Sequence, residues 1–141
     1  MSDNMKAKVF LDTNILLYLF SEDEVYKREA SMEALQKYYC ITSTQAINEL
    51  CNVFTRKWKL SPEAVFEAIG DIHKSCDIVT VSLKTVAKAV DIHYAYGHSY
   101  YDALMVAAAI QNNCHYLLSE DMHHNQIIYG TQIINIFKQE R

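Results

Sequence analysis

The chain has 141 residues, of which 50% are hydrophobic and 21% are charged, and its formal net charge is −4. This length and composition fit one compact domain over residues 1–141 and leave no room for a second one. The longest nearly continuous apolar stretch, residues 103–110, is much shorter than the ~20 residues that cross a bilayer, and no apolar signal segment follows Met1, so we expect a cytoplasmic protein without a membrane anchor.

Strand-like and helix-like segments alternate along the chain. β-Prone runs and apolar residues spaced by three and four positions predict, in order, a strand over 7–11, helices over 15–20 and 25–38, a strand over 39–42, helices over 44–58 and 62–74, a strand over 77–81, helices over 83–96 and 100–112, and strands over 115–118 and 132–137. Ser61-Pro62 is typical of a helix start, and Gly97 of a helix end. The alternation predicts an α/β fold with a mainly parallel sheet and helices on both faces.

Acidic residues occur where such a fold carries its functional site, at the carboxyl ends of the strands. Asp12 directly follows the first strand, and Asp121 lies just past the strand over 115–118. Glu49 is on the helix after the second strand, opposite its apolar stripe, and Asp102 is in the first turn of a nearly all-apolar helix. Each acid also has a structural interpretation: a helix cap for Asp12, a helix-dipole partner for Asp102, and solvated positions for the other two.

Several carboxylates in one cleft repel one another and raise their pKa values unless a cation is present. Hard divalent ions such as Mg²⁺ or Mn²⁺ prefer oxygen ligands, and they supply what phosphodiester hydrolysis requires. A chain with a net charge of −4 is unlike proteins that bind nucleic acid through a basic surface, but metal ions bound by the acids invert the local sign of the charge. The pattern therefore favours a metal site on the predicted sheet edge.

Four sequence motifs in this order resemble the PIN domain and, within it, the VapC-like toxins of bacterial toxin-antitoxin pairs. They are Val-Phe-Leu-Asp-Thr-Asn at 9–14, Ser-Thr-Gln-Ala-Ile-Asn-Glu-Leu at 43–50, Tyr-Asp-Ala-Leu at 101–104 and Leu-Leu-Ser-Glu-Asp at 117–121. The resemblance runs over about residues 7–137. It implies a three-layer α/β/α sandwich with an about five-stranded sheet, a metal-dependent endoribonuclease that cleaves RNA, and a homodimer.

The resemblance also implies roles for individual side chains. Those expected to be catalytic and to ligate Mg²⁺, with Mn²⁺ as a possible substitute, are Asp12, Glu49, Asp102 and Asp121. Those expected to support the acids or the metal-bound waters are Asn14, Ser43 and Ser119, with Thr13 as a weaker candidate. Glu120 is a fifth acid beside Asp121, and the family pattern favours Asp121. A toxin would be paired with an antitoxin whose tail covers the cleft and inserts an arginine or lysine among the carboxylates.

The densest basic cluster is Arg56-Lys57-Trp58-Lys59. Charges at a helix end are usually solvated and complement the helix dipole. The functional alternative is that Arg56 and Lys57 hold RNA phosphates while Trp58 stacks on a base. Arg56 is the best single candidate, because it is on the same helical side as Glu49.

Other functions remain open at this stage. A phosphatase of the haloacid-dehalogenase type would need an aspartate where the chain has Asn14, and a response-regulator receiver would need paired acids after the first strand and a lysine near the last one. An RNA-processing PIN nuclease that is not a toxin, and a scaffold that binds RNA or protein without cleavage, fit the same motifs. Cleavage of RNA with magnesium, and its loss on substitution of Asp12 or Asp102, separates the nuclease from the scaffold.

Overall fold

The computed structural model describes residues 6–138. Its strands are β1 (Lys8–Leu11), β2 (Tyr39–Ser43), β3 (Asp77–Val79), β4 (Tyr116–Leu118), β5 (Ile127–Ile128) and β6 (Thr131–Ile134). Its helices are α1 (Thr13–Tyr18), α2 (Val25–Lys37), α3 (Thr44–Asn52), α4 (Pro62–Ser75), α5 (Leu83–Tyr96) and α6 (Tyr100–Gln111), and a π-helical segment (Val53–Lys57) continues α3.

The strands form one six-stranded sheet in the order β3-β2-β1-β4-β6-β5. All neighbouring pairs are parallel except β5 and β6. The mainly parallel sheet with its helices confirms the predicted α/β/α sandwich. The sheet was expected to have about five strands, and the additional strand is the two-residue edge strand β5. Its hairpin turns at Tyr129 and Gly130, both with positive φ, as in the two-residue turns that match the twist of a hairpin.

Two predicted elements end more than two residues away from where the structure ends them, and the other boundaries agree within two residues. The final strand was expected over 132–137 but ends at Ile134, because Asn135 turns the chain by accepting a hydrogen bond from the backbone N–H of Phe137. The helix expected over 44–58 is α-helical only to Asn52 and then widens into the π-helical segment. The starts of the helices follow the sequence closely, and Ser61 and Gly97 cap α4 and α5 as predicted.

Helix α6 lies at the centre of the core. Residues 103–109 are all buried, and the helix contacts β1, β2, β4 and β6 as well as α3 and α5. A helix that is apolar all round is stable only when it is enclosed in this way. Among the described residues, no helix has both the length and the apolar character that a membrane crossing would need.

The order of the strands determines where a site can form. From β1 the chain builds β2 and β3 on one side, and it then returns to place β4 on the other side of β1. Such a reversal leaves a crevice outside the carboxyl ends of the two central strands, where ligands bind in open α/β sheets. Leu11 and Leu118, the last residues of β1 and β4, are directly paired. The residues that follow them therefore meet at the crevice.

Candidate active site

Asp12 begins the crevice and is 7% exposed. Its backbone N–H donates to the carbonyl of Leu118 over 3.1 Å, which extends the pairing of β1 and β4 by one residue. Its carboxylate caps α1, since Oδ1 accepts a hydrogen bond from the backbone N–H of Thr13 over 2.7 Å, while Oδ2 accepts one from the Ser119 hydroxyl over 2.8 Å. The capping interpretation of Asp12 is thus correct, and it leaves the carboxylate lining the crevice.

The pKa of Asp12 is raised to about 6. Burial is the main cause, the hydrogen bonds from Ser119 and Thr13 oppose it, and the charges of Asp102 and Glu49 raise it further. Burial stabilises the neutral form of a carboxyl group, and neighbouring negative charges act in the same direction. The three acids therefore sense one another's charge within one site.

Asp102 and Asp121 approach from two other elements. Ser99 caps α6 by accepting a hydrogen bond from the backbone N–H of Asp102, 3.3 Å away, which fixes the first turn that carries this acid. Asp121 follows β4 and accepts a hydrogen bond from the side-chain amide of Asn14. Asn14 thus links the first turn of α1 to the loop after β4.

Glu49 completes the set from α3. It is partly buried, and its Oε2 accepts a hydrogen bond from Gln45 Nε2, one helical turn earlier, over 3.2 Å. Burial raises the pKa of Glu49, the hydrogen bond from Gln45 opposes this, and the charge of Asp102 adds to the rise. The side chain faces the crevice, as its position opposite the apolar stripe of the helix predicts.

These side chains enclose an acidic cleft of about 490 Å³. It is lined by Asp12, Thr13, Asn14, Leu17, Gln45, Asn48, Glu49, Asn52, Val53, Tyr101, Asp102 and Asp121. All four predicted acids are present, and none of the residues of the described chain that line the cleft is a lysine, arginine or histidine. The cleft therefore has strong negative charge that no basic side chain of its lining balances.

The cleft suits a hard divalent cation. All its charged donors are carboxylate oxygens, the ligands that hard divalent cations prefer. Within residues 6–138, no three His, Cys, Asp or Glu side chains stand close enough together to ligate one ion directly. Mg²⁺ typically takes only one or two carboxylates and keeps several waters, so this spacing is compatible with it.

The predicted supporting residues act in different ways. Asn14 and Ser119 contact two of the acids directly, and Thr13 contributes its backbone N–H to Asp12. Ser43 instead caps α3, where its hydroxyl accepts a hydrogen bond from the backbone N–H of Ala46 over 3.2 Å. Its contribution to the cleft is indirect, since it fixes the start of the helix that carries Glu49.

Glu120 points away from the cleft. Its carboxylate accepts hydrogen bonds from the Tyr18 hydroxyl and from Lys27 Nζ. Partial burial raises the pKa of Glu120, but the hydrogen bonds from Lys27 and Tyr18 outweigh this and lower it below its ordinary value. Of the two adjacent acids, Asp121 is the one that lines the cleft.

Four further polar or aromatic residues line the cleft that were not predicted as site residues: Gln45, Asn48, Asn52 and Tyr101. The first three share a face of α3 with Glu49, and their spacing along the helix was the signal that could have revealed them. Tyr101 is 61% exposed beside Asp102. An exposed aromatic ring at the mouth of the cleft is available for stacking on an unpaired base.

Two residues of the basic cluster over 56–59, Lys57 and Trp58, lie in a groove that adjoins the acidic cleft. A second groove of about 380 Å³ shares Asn14, Leu17 and Val53 with the acidic cleft and is lined further along by Lys57 and Trp58. Arg56 is exposed and lines neither groove. The Trp58 ring packs on Phe54 with 5.4 Å between ring centroids, so part of its surface is used within the protein.

Comparisons with known proteins agree with this fold. The sequence profile of the PIN domain matches residues 9–127, whereas no curated protein sequence matches significantly. A toxin-antitoxin complex from Klebsiella pneumoniae has a similar structure, with a TM-score of 0.70, 20% identity, and coverage of 93% of this chain and 99% of the other. FitAcB from Neisseria gonorrhoeae is also similar, with a TM-score of 0.64, 15% identity, and coverage of 93% of this chain and 99% of the other.

VapC20 of Mycobacterium tuberculosis, a toxin that cleaves the sarcin-ricin loop, is also similar, with a TM-score of 0.65, 14% identity, and coverage of 77% of this chain and 86% of the other. Identities this low establish a shared fold only. The profile match extends over most of the chain, from β1 to the start of β5. This chain belongs to the PIN domain family.

Proposed function

We propose that the chain is an endoribonuclease that hydrolyses RNA phosphodiester bonds with Mg²⁺ or Mn²⁺, in a single nuclease domain, and that it is the toxin of a type II toxin-antitoxin pair. One observation carries the nuclease proposal: four carboxylates from four segments of the chain line one cleft without a balancing basic side chain. Maintaining such a cluster is unfavourable for a protein that has no use for a cation there.

Asp12, Glu49, Asp102 and Asp121 would hold the ion, directly or through its waters. The chemistry supplied by the bound ion is a lowered pKa of a coordinated water and stabilisation of negative charge on the phosphoryl oxygens. The protein's own residues orient the acids: Thr13 and Ser119 fix both oxygens of Asp12, Asn14 holds Asp121, and Gln45 holds Glu49. These hydrogen bonds preorganise the cleft before RNA arrives.

The substrate would lie across the cleft as an unpaired strand. Tyr101 at one side and Lys57 in the adjoining groove offer a stacking surface and a phosphate contact. An unpaired strand fits because a base pair would withhold the base faces from Tyr101. The protein would act in the cytoplasm, where its RNA substrates are found, and as a homodimer.

Cleavage of RNA is the direct test. Wild-type protein should cut RNA with Mg²⁺ or Mn²⁺ and not with excess chelator. Asp12→Asn and Asp102→Asn should each lower the rate by at least about a hundredfold, because each removes a charge on which the ion depends. Asp91→Asn, on the exposed face of α5 and outside the cleft, is the matched control and should retain activity. Cleavage that survives both cleft substitutions would refute the proposal.

The toxin proposal is supported by two of the similar structures, the toxin-antitoxin complex from Klebsiella pneumoniae and the toxin VapC20. Expression of the chain alone should arrest growth, and a co-encoded neighbouring protein should relieve the arrest. The partner should present an arginine or lysine to the four carboxylates, since a cation is what the cleft lacks. Growth arrest by Asp12→Asn to the same extent as by wild type would disconnect toxicity from the cleft. Cleavage without any arrest would identify an RNA-processing nuclease instead.

A further inference from the structure

Three consecutive residues after β4 point in three directions. The Ser119 hydroxyl donates to Asp12, Asp121 accepts from Asn14, and the Glu120 side chain between them leaves the cleft toward α1 and α2. Because they are neighbours in the chain, an anchor on Glu120 restricts the backbone torsions that aim Asp121. Through Glu120, elements outside the cleft can therefore influence the geometry of the cleft.

The anchor on Glu120 is a closed triangle of polar contacts. Lys27 Nζ lies 2.5 Å from Glu120 Oε2 and 3.2 Å from the Tyr18 hydroxyl, and that hydroxyl donates to Glu120 Oε1. Lys27 is in the first turn of α2, and Tyr18 is the last residue of α1. One carboxylate thus connects both helices to the loop that carries Asp121.

Aromatic rings enclose the ammonium group. Lys27 Nζ lies 4.9 Å from the centroid of the Tyr18 ring and 5.6 Å from that of Phe137, and the two rings meet edge to face at 5.2 Å. From the other side, Asn135 Nδ2 donates to the backbone carbonyl of Glu120 over 3.4 Å. The side chains of Lys27 and Glu120 are only 27% and 22% exposed, so the anchor is more enclosed than an ordinary surface ion pair.

We propose that Lys27 and Tyr18, acting through Glu120, are positioning residues that fix the loop 119–121 so that the Asp121 carboxylate faces the acidic cleft. The function assigned to the anchor rests on the proposed nuclease function. A salt bridge with only a structural role would, when removed, change folding stability slightly and leave the cleft as it was. A positioning role predicts the reverse, with a larger effect on ion binding than on stability.

Lys27→Met tests this, with Lys88→Met as the matched control. Lys88 makes a longer and more exposed pair of the same kind, since its Nζ lies 4.0 Å from Asp91 Oδ2 and 4.0 Å from the centroid of the Tyr129 ring, and neither Lys88 nor Asp91 lines the acidic cleft. Calorimetry should show that Lys27→Met binds Mn²⁺ about tenfold more weakly than wild type, the lower end of what loss of an outer-sphere partner does. Lys88→Met should bind Mn²⁺ like wild type.

A second measurement needs neither metal nor RNA. The side-chain amide signals of Asn14 in an NMR spectrum report its hydrogen bond to Asp121 and can be assigned by their loss in Asn14→Ser. They should shift in Lys27→Met and in Tyr18→Phe, and stay in place in Lys88→Met. Tyr18→Phe keeps the ring and removes only the hydroxyl, so it preserves the test if Lys27→Met folds poorly.

Rescue separates the ion pair from general packing. Lys27→Arg should keep Mn²⁺ affinity, and Lys27→Glu combined with Glu120→Lys should recover part of the affinity that each single reversal loses. The proposal is overturned if Lys27→Met and Tyr18→Phe leave both Mn²⁺ affinity and the Asn14 signals unchanged, or if Lys88→Met changes them equally. If wild-type protein binds no Mn²⁺, the nuclease proposal fails, and the Asn14 signals still decide whether the anchor aims Asp121.

Discussion

The surroundings of Asp12 disfavour its ionised form. Burial and the charges of Asp102 and Glu49 raise its pKa, while Ser119 and Thr13 orient its two oxygens as acceptors for an ionised carboxylate. The hydrogen bonds only partly offset the burial, since the pKa still rises to about 6. A bound cation would remove the remaining penalty, which makes Asp12 the residue at which pH, ion binding and folding stability are linked.

The first prediction concerns pH and stability without metal. Asp12 has an ordinary pKa of 3.8 in the unfolded chain and a pKa of about 6 in the folded chain, so the folded state favours the protonated carboxyl group. Its contribution to stability is therefore fully present only well below pH 3.8, and it is lost as the pH rises from there through about 6. Each pKa unit corresponds to ~1.4 kcal/mol, which gives a loss of about 3 kcal/mol.

Urea unfolding in chelator should show about 2 kcal/mol of this loss between pH 4.5 and pH 8, as a difference between wild type and Asp12→Asn. The asparagine retains an acceptor for Thr13 and removes the ionisable group, so the variant should be the more stable protein at pH 8. A wild-type-minus-variant difference that does not depend on pH would contradict the prediction.

At this scale the sequence predicted which acids line the cleft but not how each is held. Asp12 and Asp121 were recognisable because each follows a strand, and Glu49 because it lies opposite an apolar stripe. The direction of Glu120 was not predictable, since it depends on Lys27, 93 positions earlier in the chain. The raised pKa of Asp12 likewise depends on burial that only the folded chain produces.

Helices carry two of the acids, and their caps therefore influence the cleft. Ser99 caps α6 directly before the turn that holds Asp102, and Ser61 caps α4, which contributes no residue to the cleft. Loss of either serine leaves backbone N–H groups at the helix start without their side-chain acceptor. The two positions form a natural pair for comparing local stability with function.

We expect Ser99→Ala and Ser61→Ala each to lower the free energy of unfolding by about 1 kcal/mol, the usual effect of removing a serine cap. Only Ser99→Ala should also weaken RNA cleavage, by several-fold, because only that cap fixes the backbone of Asp102. Unfolding curves and cleavage rates measured on the same preparations check both statements. Equal effects of the two variants on cleavage would show that the cap of α6 does not act on the site.

The π-helical segment after α3 changes which basic residues are near the cleft. An unbroken α-helix over 44–58 would keep Arg56 on the side of Glu49, as the sequence indicated. In the structure the wider turns of Val53–Lys57 leave Arg56 exposed, and the adjoining groove is lined by Lys57 and Trp58. Sequence periodicity does not reveal a single wide turn, because the apolar positions before it keep their α-helical spacing.

RNA affinity should therefore depend more on Lys57 than on Arg56. Binding of a short unpaired RNA to Asp12→Asn, measured in chelator at several salt concentrations, should weaken severalfold in Lys57→Ala, with a smaller slope against salt, because one phosphate contact is lost. Arg56→Ala removes the same charge at the neighbouring position and should change binding less. If Arg56→Ala weakened RNA binding more than Lys57→Ala, Arg56 would instead be the residue near the RNA, as an uninterrupted α-helix predicts.

At the scale of the whole molecule, the strand order brings acidic residues together, which the amino-acid composition does not reveal. The chain is acidic overall, and Asp12 and Asp121 come to line one cleft because β1 and β4 are adjacent at the point where the strand order reverses. The alternation of strands and helices in the sequence was enough to predict this parallel arrangement. The edge hairpin escaped prediction, since β5 has two residues and its turn places Tyr129 at positive φ, which is rare for a side chain of that size.

The last prediction links this arrangement to folding. An ion that binds only the folded chain stabilises it by about 2.7 kcal/mol when its concentration is a hundred times its dissociation constant, which raises the melting temperature of a domain of this size by several degrees. Saturating Mn²⁺ should do so for wild type and for Asp91→Asn at pH 8, and much less for Asp12→Asn and Asp102→Asn. The rise should be smaller at pH 5, where protons occupy the Asp12 carboxylate whose pKa is about 6. Equal rises of the melting temperature in all four proteins would show that the ion binds elsewhere on the surface and not in the acidic cleft.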